Sequence, residues 1–440
     1  MRIGCGAGFS ADRLEPALDL AEKAELDFLV FECVGERTLA FGHRDRMRDP
    51  SKGYNSLLER RMKAVLPVAR RNKVRIVTNM GAANPRAAAE ATVAVARELG
   101  LGGLRVACVE GDDVTELLGP DTPVWEGGTI ADVGLRMVGA NAYLGIDALL
   151  PAIESEAEII IAGRVADPSL FLAPIVHRYG WARDDWARLG AGTLVGHLLE
   201  CGMQVTGGYF ADPGSKDVPR LAYCGYPFAM VEADGGATIT KLAEAGGTVA
   251  AETVKEQMLY EVHDPARYLT PDVTADFSAV RLAERAPDQV SVSGASGTAR
   301  PDSLKVTVGF DGGFLAEAGV SYAGPNAQAR GRLARDIIEE RMRRLHRYEG
   351  ALRLDLEGVD SLHGTAIERA TDTQDLRLRA ALRSTSREDA ELLLWELEAL
   401  LCCGPAGGGG FRGSITPGVV TCSASLDRTA VTPRLTVLTA

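Results

Sequence analysis

Short runs of branched apolar residues alternate with amphipathic stretches along the first half of the chain. Arg2–Cys5, Asp27–Cys33, Arg75–Met80, Leu104–Val109 and Glu158–Ala162 read as strands. Between the second and third of them, Leu57, Leu58, Arg61, Met62, Val65, Leu66 and Ala69 recur at helical spacing. Ser56-x-x-Glu59 ahead of that run has the form of a capping box, in which each side chain satisfies an orphan amide. Asn84-Pro85 opens the next helix, with Asn as the cap and Pro at the first position, where its missing N–H is tolerated. Continuous apolar strands separated by amphipathic helices imply an α/β fold with a mainly parallel sheet covered on both faces. A doubly wound sheet is the expected form, with a partial barrel as the alternative.

The texture changes near residue 190, where Gly, Tyr and Pro become more frequent. Gln289–Ser293, Ser303–Phe310 and Gly319–Tyr322 read as antiparallel strands, followed by an arginine-rich helix near 327–347 and a strand–helix unit over roughly 352–401. Arg341, Arg343, Arg344 and Arg347 read as the solvated face of that helix. Two domains are therefore expected. The first is an α/β parallel-sheet domain over 1–190, and the second an α+β domain over 191–440 with a glycine-rich C-terminal segment.

Composition narrows the range of functions. A chain of 440 residues with 46% hydrophobic and 25% charged residues has the material for a sizeable core. Its 48 Lys and Arg against 60 Asp and Glu leave a formal charge of −12, which disfavours nucleic acid and anionic membranes as partners. No apolar stretch approaches the roughly 18 residues of a membrane span. Met1-Arg2-Ile3-Gly4-Cys5 lacks an export signal, so a cytoplasmic location is expected. The eight cysteines are scattered, with no metal-ligand spacing, and read as reduced thiols.

Candidate chemistry gathers where strands end. Glu32 closes the second strand and Asn79 the third, while Glu110, Asp112 and Asp113 follow the fourth. Arg164 and Asp167 follow Glu158–Ala162. Ligands of open α/β sheets bind beyond the carboxyl ends of the strands, so these residues are expected around one cleft. There, neighbouring carboxylates can divide acid and base roles or hold a divalent cation. Glu32, Asp112, Asp113, Arg164 and Asp167 are the catalytic candidates from this set, and Asn79 and Asn84 the substrate-binding ones. His263, in His263-Asp264-Pro265, joins the catalytic candidates either as a general acid with its orienting partner or as part of a helix C-cap. His197 and Glu200 share one face of a probable helix, and a structural histidine is expected there. Gly6, Gly8 and Ser10 lie in a glycine-rich strand–helix turn, and Gly407, Gly408 and Gly409 in a later glycine run. Backbone amides in either loop can receive an anion. The first loop does not have the dinucleotide spacing, the second is no Walker loop, and no Gly-x-Ser-x-Gly elbow is present.

Taken together, Gly6-Ala7-Gly8-Phe9-Ser10, Val30-Phe31-Glu32-Cys33, Thr78-Asn79-Met80-Gly81-Ala82-Ala83-Asn84-Pro85 and Val109-Glu110-Gly111-Asp112-Asp113 resemble the acyclic terpene utilisation AtuA family. The resemblance extends through Gly163-Arg164-Val165-Ala166-Asp167, Gly207-Gly208-Tyr209-Phe210, Glu261-Val262-His263-Asp264-Pro265 and Gly404–Gly410, in the family's order. It implies a place in bacterial degradation of acyclic terpenes through CoA thioesters, beside enzymes acting on branched acyl-CoA. The expected activity is lyase, hydratase or hydrolytic chemistry on a branched carboxylic acid or its CoA thioester. The alternative is a non-catalytic subunit that binds an acyl-CoA or a partner enzyme. Longer relatives carry a small C-terminal domain, whose contribution is expected to be either absent here or supplied by a separate small partner protein; a homo-oligomer is also expected. Neither the residues nor the resemblance identifies a cofactor or a metal.

Overall fold

The computed structural model describes residues 1–364 and 373–440. Part of the strand–helix unit expected over 352–401 therefore lies outside the described residues. Five strands, β1 (Arg2–Ala7), β2 (Phe28–Phe31), β3 (Arg75–Thr78), β4 (Arg105–Glu110) and β6 (Ile159–Ala162), pair in parallel in the spatial order β1-β2-β3-β6-β4. β5 (Met137–Ala142) intervenes in the chain but pairs outside this sheet. Leu29, Phe31, Ile159 and Ile161 join the core under α1 (Glu15–Lys23), α3 (Leu58–Asn72) and α4 (Pro85–Glu98). Their sequence neighbours Phe28, Val30, Ile160 and Ala162 join the core under α5 (Ile146–Glu154), α6 (Ser169–Tyr179) and α7 (Trp186–Glu200). Alternate side chains of one strand thus enter two cores, which is why these strands are apolar throughout.

The sheet does not close. Antiparallel β7 (Pro227–Val231) pairs with β1, and β8 (Ala237–Lys241), Gln289–Ser293 and Arg281–Ala286 continue outward from it. Arg434–Thr439 pairs antiparallel with β4 at the opposite edge. The chain forms two compact units, residues 1–309 with 421–440 and residues 310–420. The boundary expected near 190 falls inside α7, because the antiparallel strands that follow extend the first sheet. In the second unit, Leu352–Glu357, Asp375–Ser384, the later part of Ser303–Ala323 and the earlier part of Gly409–Asp427 form a sheet. Val320, Leu378, Leu393 and Leu397 lie in its core, against the helices Ala327–Glu340 and Arg387–Cys403. Ser303–Ala323 is one long strand, where two shorter ones were expected.

Local signals divide in the same way. Asn84 caps α4 as expected, its Oδ1 accepting the Ala87 amide at 3.3 Å. The expected Ser56–Glu59 capping box is not formed. Asn55 Oδ1 accepts the Leu57 amide at 2.9 Å instead, and the Glu59 carboxylate receives the Tyr54 hydroxyl at 3.0 Å.

The first glycine-rich turn is a point of close packing. A Cβ on Gly8 would lie 2.3 Å from the Cys201 carbonyl carbon and 2.4 Å from the Glu200 oxygen, and one on Gly6 would lie 2.7 Å from the Phe31 ring. The Gly8 amide donates to Asp12 Oδ2 at 2.8 Å, so that donor is already used within the chain. Gly8→Ala is therefore expected to destabilise the fold by about 1–3 kcal/mol, the usual range for overpacking. Urea and thermal melts read this directly, and an unchanged melt would return the loop to a ligand-binding role.

Candidate active site

A parallel sheet presents all its carboxyl ends along one edge. Here Gly8, Glu32, Asn79 and Gly163-Arg164 immediately follow β1, β2, β3 and β6, and Asp112 lies two residues beyond β4. Glu32 is 9% exposed and is held by two donors on one oxygen. The Val34 amide donates to its Oε1 at 2.9 Å and Asn79 Nδ2 at 2.8 Å. Asn79 Oδ1 in turn accepts the Cys33 amide at 2.7 Å, so neither end of the Asn79 amide can turn away. Burial, helped by the nearby Asp167 charge, pushes the Glu32 carboxyl up to about 8 against the opposing pull of Arg164 and the two donors.

Arg164 is 2% exposed. Its Nη1 donates to the Val34 carbonyl and lies 3.0 Å from Asp167 Oδ1, and the guanidinium sits 4.0 Å over the Tyr143 ring. The Tyr143 hydroxyl donates to Glu36, which Lys305 Nζ also reaches at 3.1 Å. Desolvation works against the Glu36 charge, but Arg164, Tyr143 and Lys305 prevail and bring its carboxyl down to about 2. Desolvation raises Asp167, which the Arg164 charge opposes, although a third of its side chain meets solvent. Asp167, Glu36 and Lys305 thus form the partly exposed mouth, with Glu32 and Arg164 behind it.

Asp112 forms a second face. Its Oδ2 accepts the Arg164 amide at 2.7 Å and Asn141 Nδ2 at 2.8 Å. Asn141 Oδ1 meets His43 Nε2 at 2.5 Å, which places the proton on that nitrogen. Burial keeps His43 neutral by lowering its imidazole, and burial raises Asp112 to about 6 against its two hydrogen bonds. These three residues line a cavity of about 740 Å³ together with Asn84, Asp113, Arg46 and Arg434. His43 lies on the buried face of α2 (Glu36–Arg48), and Asn141 on β5.

The remaining candidates are placed differently. Asp113 is 41% exposed, pairs with Arg46 at 3.3 Å and accepts the Thr115 amide and hydroxyl. Asn84, besides capping α4, donates to the Pro50 and Lys52 carbonyls and so fixes a loop. Ser10 is half-buried in the turn after β1. His263 is exposed beyond α8 (Ala251–Leu259), and Asp264 accepts the Ala266 amide at 3.0 Å in a local turn. Gly407, Gly408 and Gly409 belong to the second unit, with Arg330 beside the first and the Tyr322 ring beside the second. Among the described residues no group of three or more His, Cys, Asp or Glu side chains is arranged to hold a metal ion. No helix among them is long and apolar enough to cross a membrane. His43, Asn141, Tyr143, Glu36 and Lys305 were not anticipated. A polar Asn inside the short apolar segment Met137–Ala142 was the available signal for that strand.

Compared with known proteins, residues 1–437 match the model of one family, described as acyclic terpene utilisation family protein AtuA. No curated protein matches the chain.

The charge state of Glu32 makes a stability prediction. A carboxyl raised in the folded state binds its proton more tightly there than in the unfolded chain, so its contribution to stability falls as pH rises from the ordinary carboxyl range to about 8. Glu32→Gln keeps an oxygen for Val34 and Asn79 and cannot ionise. The melting temperature of the variant relative to wild type is therefore expected to rise between pH 5 and pH 9. A difference independent of pH would mean that Glu32 is ionised throughout.

Proposed function

The chain belongs to the acyclic terpene utilisation AtuA family, and on that premise we propose that it is an enzyme moving protons on a branched carboxylic acid or its CoA thioester, in lyase, hydratase or hydrolytic chemistry. The observation that carries this reading is the opposite setting of two carboxyls on either side of Arg164. Asp112, raised to about 6, is mostly ionised at neutral pH and can accept a proton. Glu32, raised to about 8, mostly keeps its proton and can donate one. Environments that push two carboxyls apart in this way are the usual mark of an acid and a base. The Arg164 guanidinium supports negative charge developing on a carboxylate or an enolate-like oxygen, and Lys305 adds a second cation at the mouth. The cavity beside Asp112 has the volume of a small-molecule site. Glu110, Asp112, Asp113 and Glu116 around it disfavour the phosphates of CoA, so it suits the acyl end of the substrate.

Deuterium exchange tests this without knowledge of the net reaction. In heavy water, with a panel of branched acids and their saturated and unsaturated CoA thioesters, the enzyme is expected to exchange hydrogen next to the carbonyl of at least one. Glu32→Gln and Asp112→Asn should each slow that exchange by about 10²-fold or more, the ordinary share of a general acid or base. Binding without exchange across the panel would replace the enzymatic reading by that of an acyl-binding subunit. A free acid that docks against Arg164 should also bind with uptake of a proton, because its charge raises the neighbouring carboxyls further. Calorimetry in buffers of different ionisation enthalpy measures that uptake, and zero uptake would place the carboxylate elsewhere.

A further inference from the structure

A stripe of polar side chains on α7 adjoins the site and has no part in the reading above. Thr193, His197 and Glu200 recur at helical spacing and share one face, which packs toward α8 and the strands Thr274–Asp276 and Ser296–Thr298. They are 1%, 1% and 7% exposed. His197 Nδ1 meets Glu200 Oε1 at 2.7 Å, and Gln257 Nε2 on α8 donates to the His197 carbonyl at 2.9 Å. The Tyr268 and Phe277 rings flank the imidazole at 5.3 and 6.0 Å. Four buried atoms remain that no protein group hydrogen-bonds: Thr193 Oγ1, His197 Nε2, Glu200 Oε2 and Gln257 Oε1. Among the described residues seven buried side-chain atoms are in this condition, and two of the other three are Arg164 Nε and Asp167 Oδ1 of the candidate site, the latter ion-paired with Arg164 Nη1 but without a hydrogen bond. Each such atom costs about 1–3 kcal/mol when left unmatched, so a concentration of them calls for a polar occupant. A buried water, which makes two to four hydrogen bonds, matches that need.

We propose that these four atoms hold ordered water and that Glu200 exchanges a proton through it with Asp167, so that the α7 face is an internal proton relay for the candidate site. The relay rests on the place of Asp167 in that site and not on the identity of the substrate. In the forward step the O–H bond at Glu200 Oε2 breaks, water passes the proton on, and an O–H bond forms on the Asp167 carboxylate. Glu200 is left as a carboxylate whose Oε1 keeps the hydrogen bond from His197 Nδ1–H, and the reverse step restores both groups. The charges around Glu200 agree with this. Burial and the neighbouring Asp167 and Glu261 raise its carboxyl, while Arg164 opposes them. Cys201 and Tyr268 also face the cluster, and burial raises both, so they stay neutral. His197 is neutral too, because burial lowers it to about 4.

Infrared titration of the full chain tests the relay without substrate. The wild type is expected to keep a protonated-carboxyl band above neutral pH that disappears in Glu200→Gln. Asp167→Asn removes a like charge and should lower the pH at which Glu200 ionises by about one unit or more. An unmoved Glu200 band in that variant overturns the relay. Crystal density of the wild type decides the water independently of whether any variant folds. Water bonded to at least two of the four atoms is expected, and dry packing of those atoms overturns the proposal. Failure of deuterium exchange with an intact coupled titration would count against the reaction class alone.

Discussion

Burial of one guanidinium sets the terms for the carboxyl edge of this sheet. Arg164 is almost wholly removed from water, and an uncompensated charge in that position would cost several kcal/mol. Asp167, the Val34 carbonyl and the Tyr143 ring surround it directly, and Glu36 reaches the same ring through the tyrosine hydroxyl. With Glu32 behind, three carboxyls share two cations, Arg164 and Lys305. Glu36 has both cations and a hydroxyl donor and stays ionised. Glu32 is the least exposed of the three, and its carboxyl is raised to about 8. The raised carboxyl thus follows first from burial, and then from the neighbouring Asp167 charge that Arg164 only partly offsets.

The same edge depends on close approach of backbone to backbone. Gly8 lets the turn after β1 touch the last turn of α7, which carries Glu200. Gly163 lets the Asp112 carboxylate settle on the peptide leading into Arg164, since a Cβ there would lie 2.4 Å from Asp112 Oδ2. These contacts fix Asp112 to the main chain of Arg164 while the guanidinium faces Glu32. Glycines that look in sequence like a ligand cradle therefore act through the protein's own packing, by bringing charged side chains into register.

The parallel core and the gathering of polar residues at its strand ends were legible because chain direction alone places strand ends together. Glu32, Asn79, Asp112 and Arg164 each follow an apolar strand closely, and the structure joins Glu32 to Asn79 and Asp112 to Arg164. Partners supplied from a distance in sequence were not legible. Lys305 reaches Glu36 across 269 positions, and no local pattern specifies such a pair. His43 occupies the buried face of a helix, where its spacing is that of an ordinary core residue. The division near 190 was misplaced because antiparallel strands have the same local pattern whether they extend an existing sheet or begin another. Ser56 and Asn55 are both capable caps, and only the path of the chain into α3 decides between them.

Asp112 bonds the Arg164 amide, whereas Glu32 feels the charge of its guanidinium. The amide bond to Asp112 favours its ionised form and limits how far burial can raise it. On the other side the guanidinium must divide its charge among several carboxyls, so Glu32 gains less from it than a single partner would. One residue therefore separates a mostly ionised carboxyl beside an open cavity from a mostly protonated one in the interior. A lone buried Asp–Arg pair would hold both partners ionised and serve stability at most. A surplus of carboxyls around one arginine keeps one of them raised, and the proposed acid and base roles rest on that imbalance.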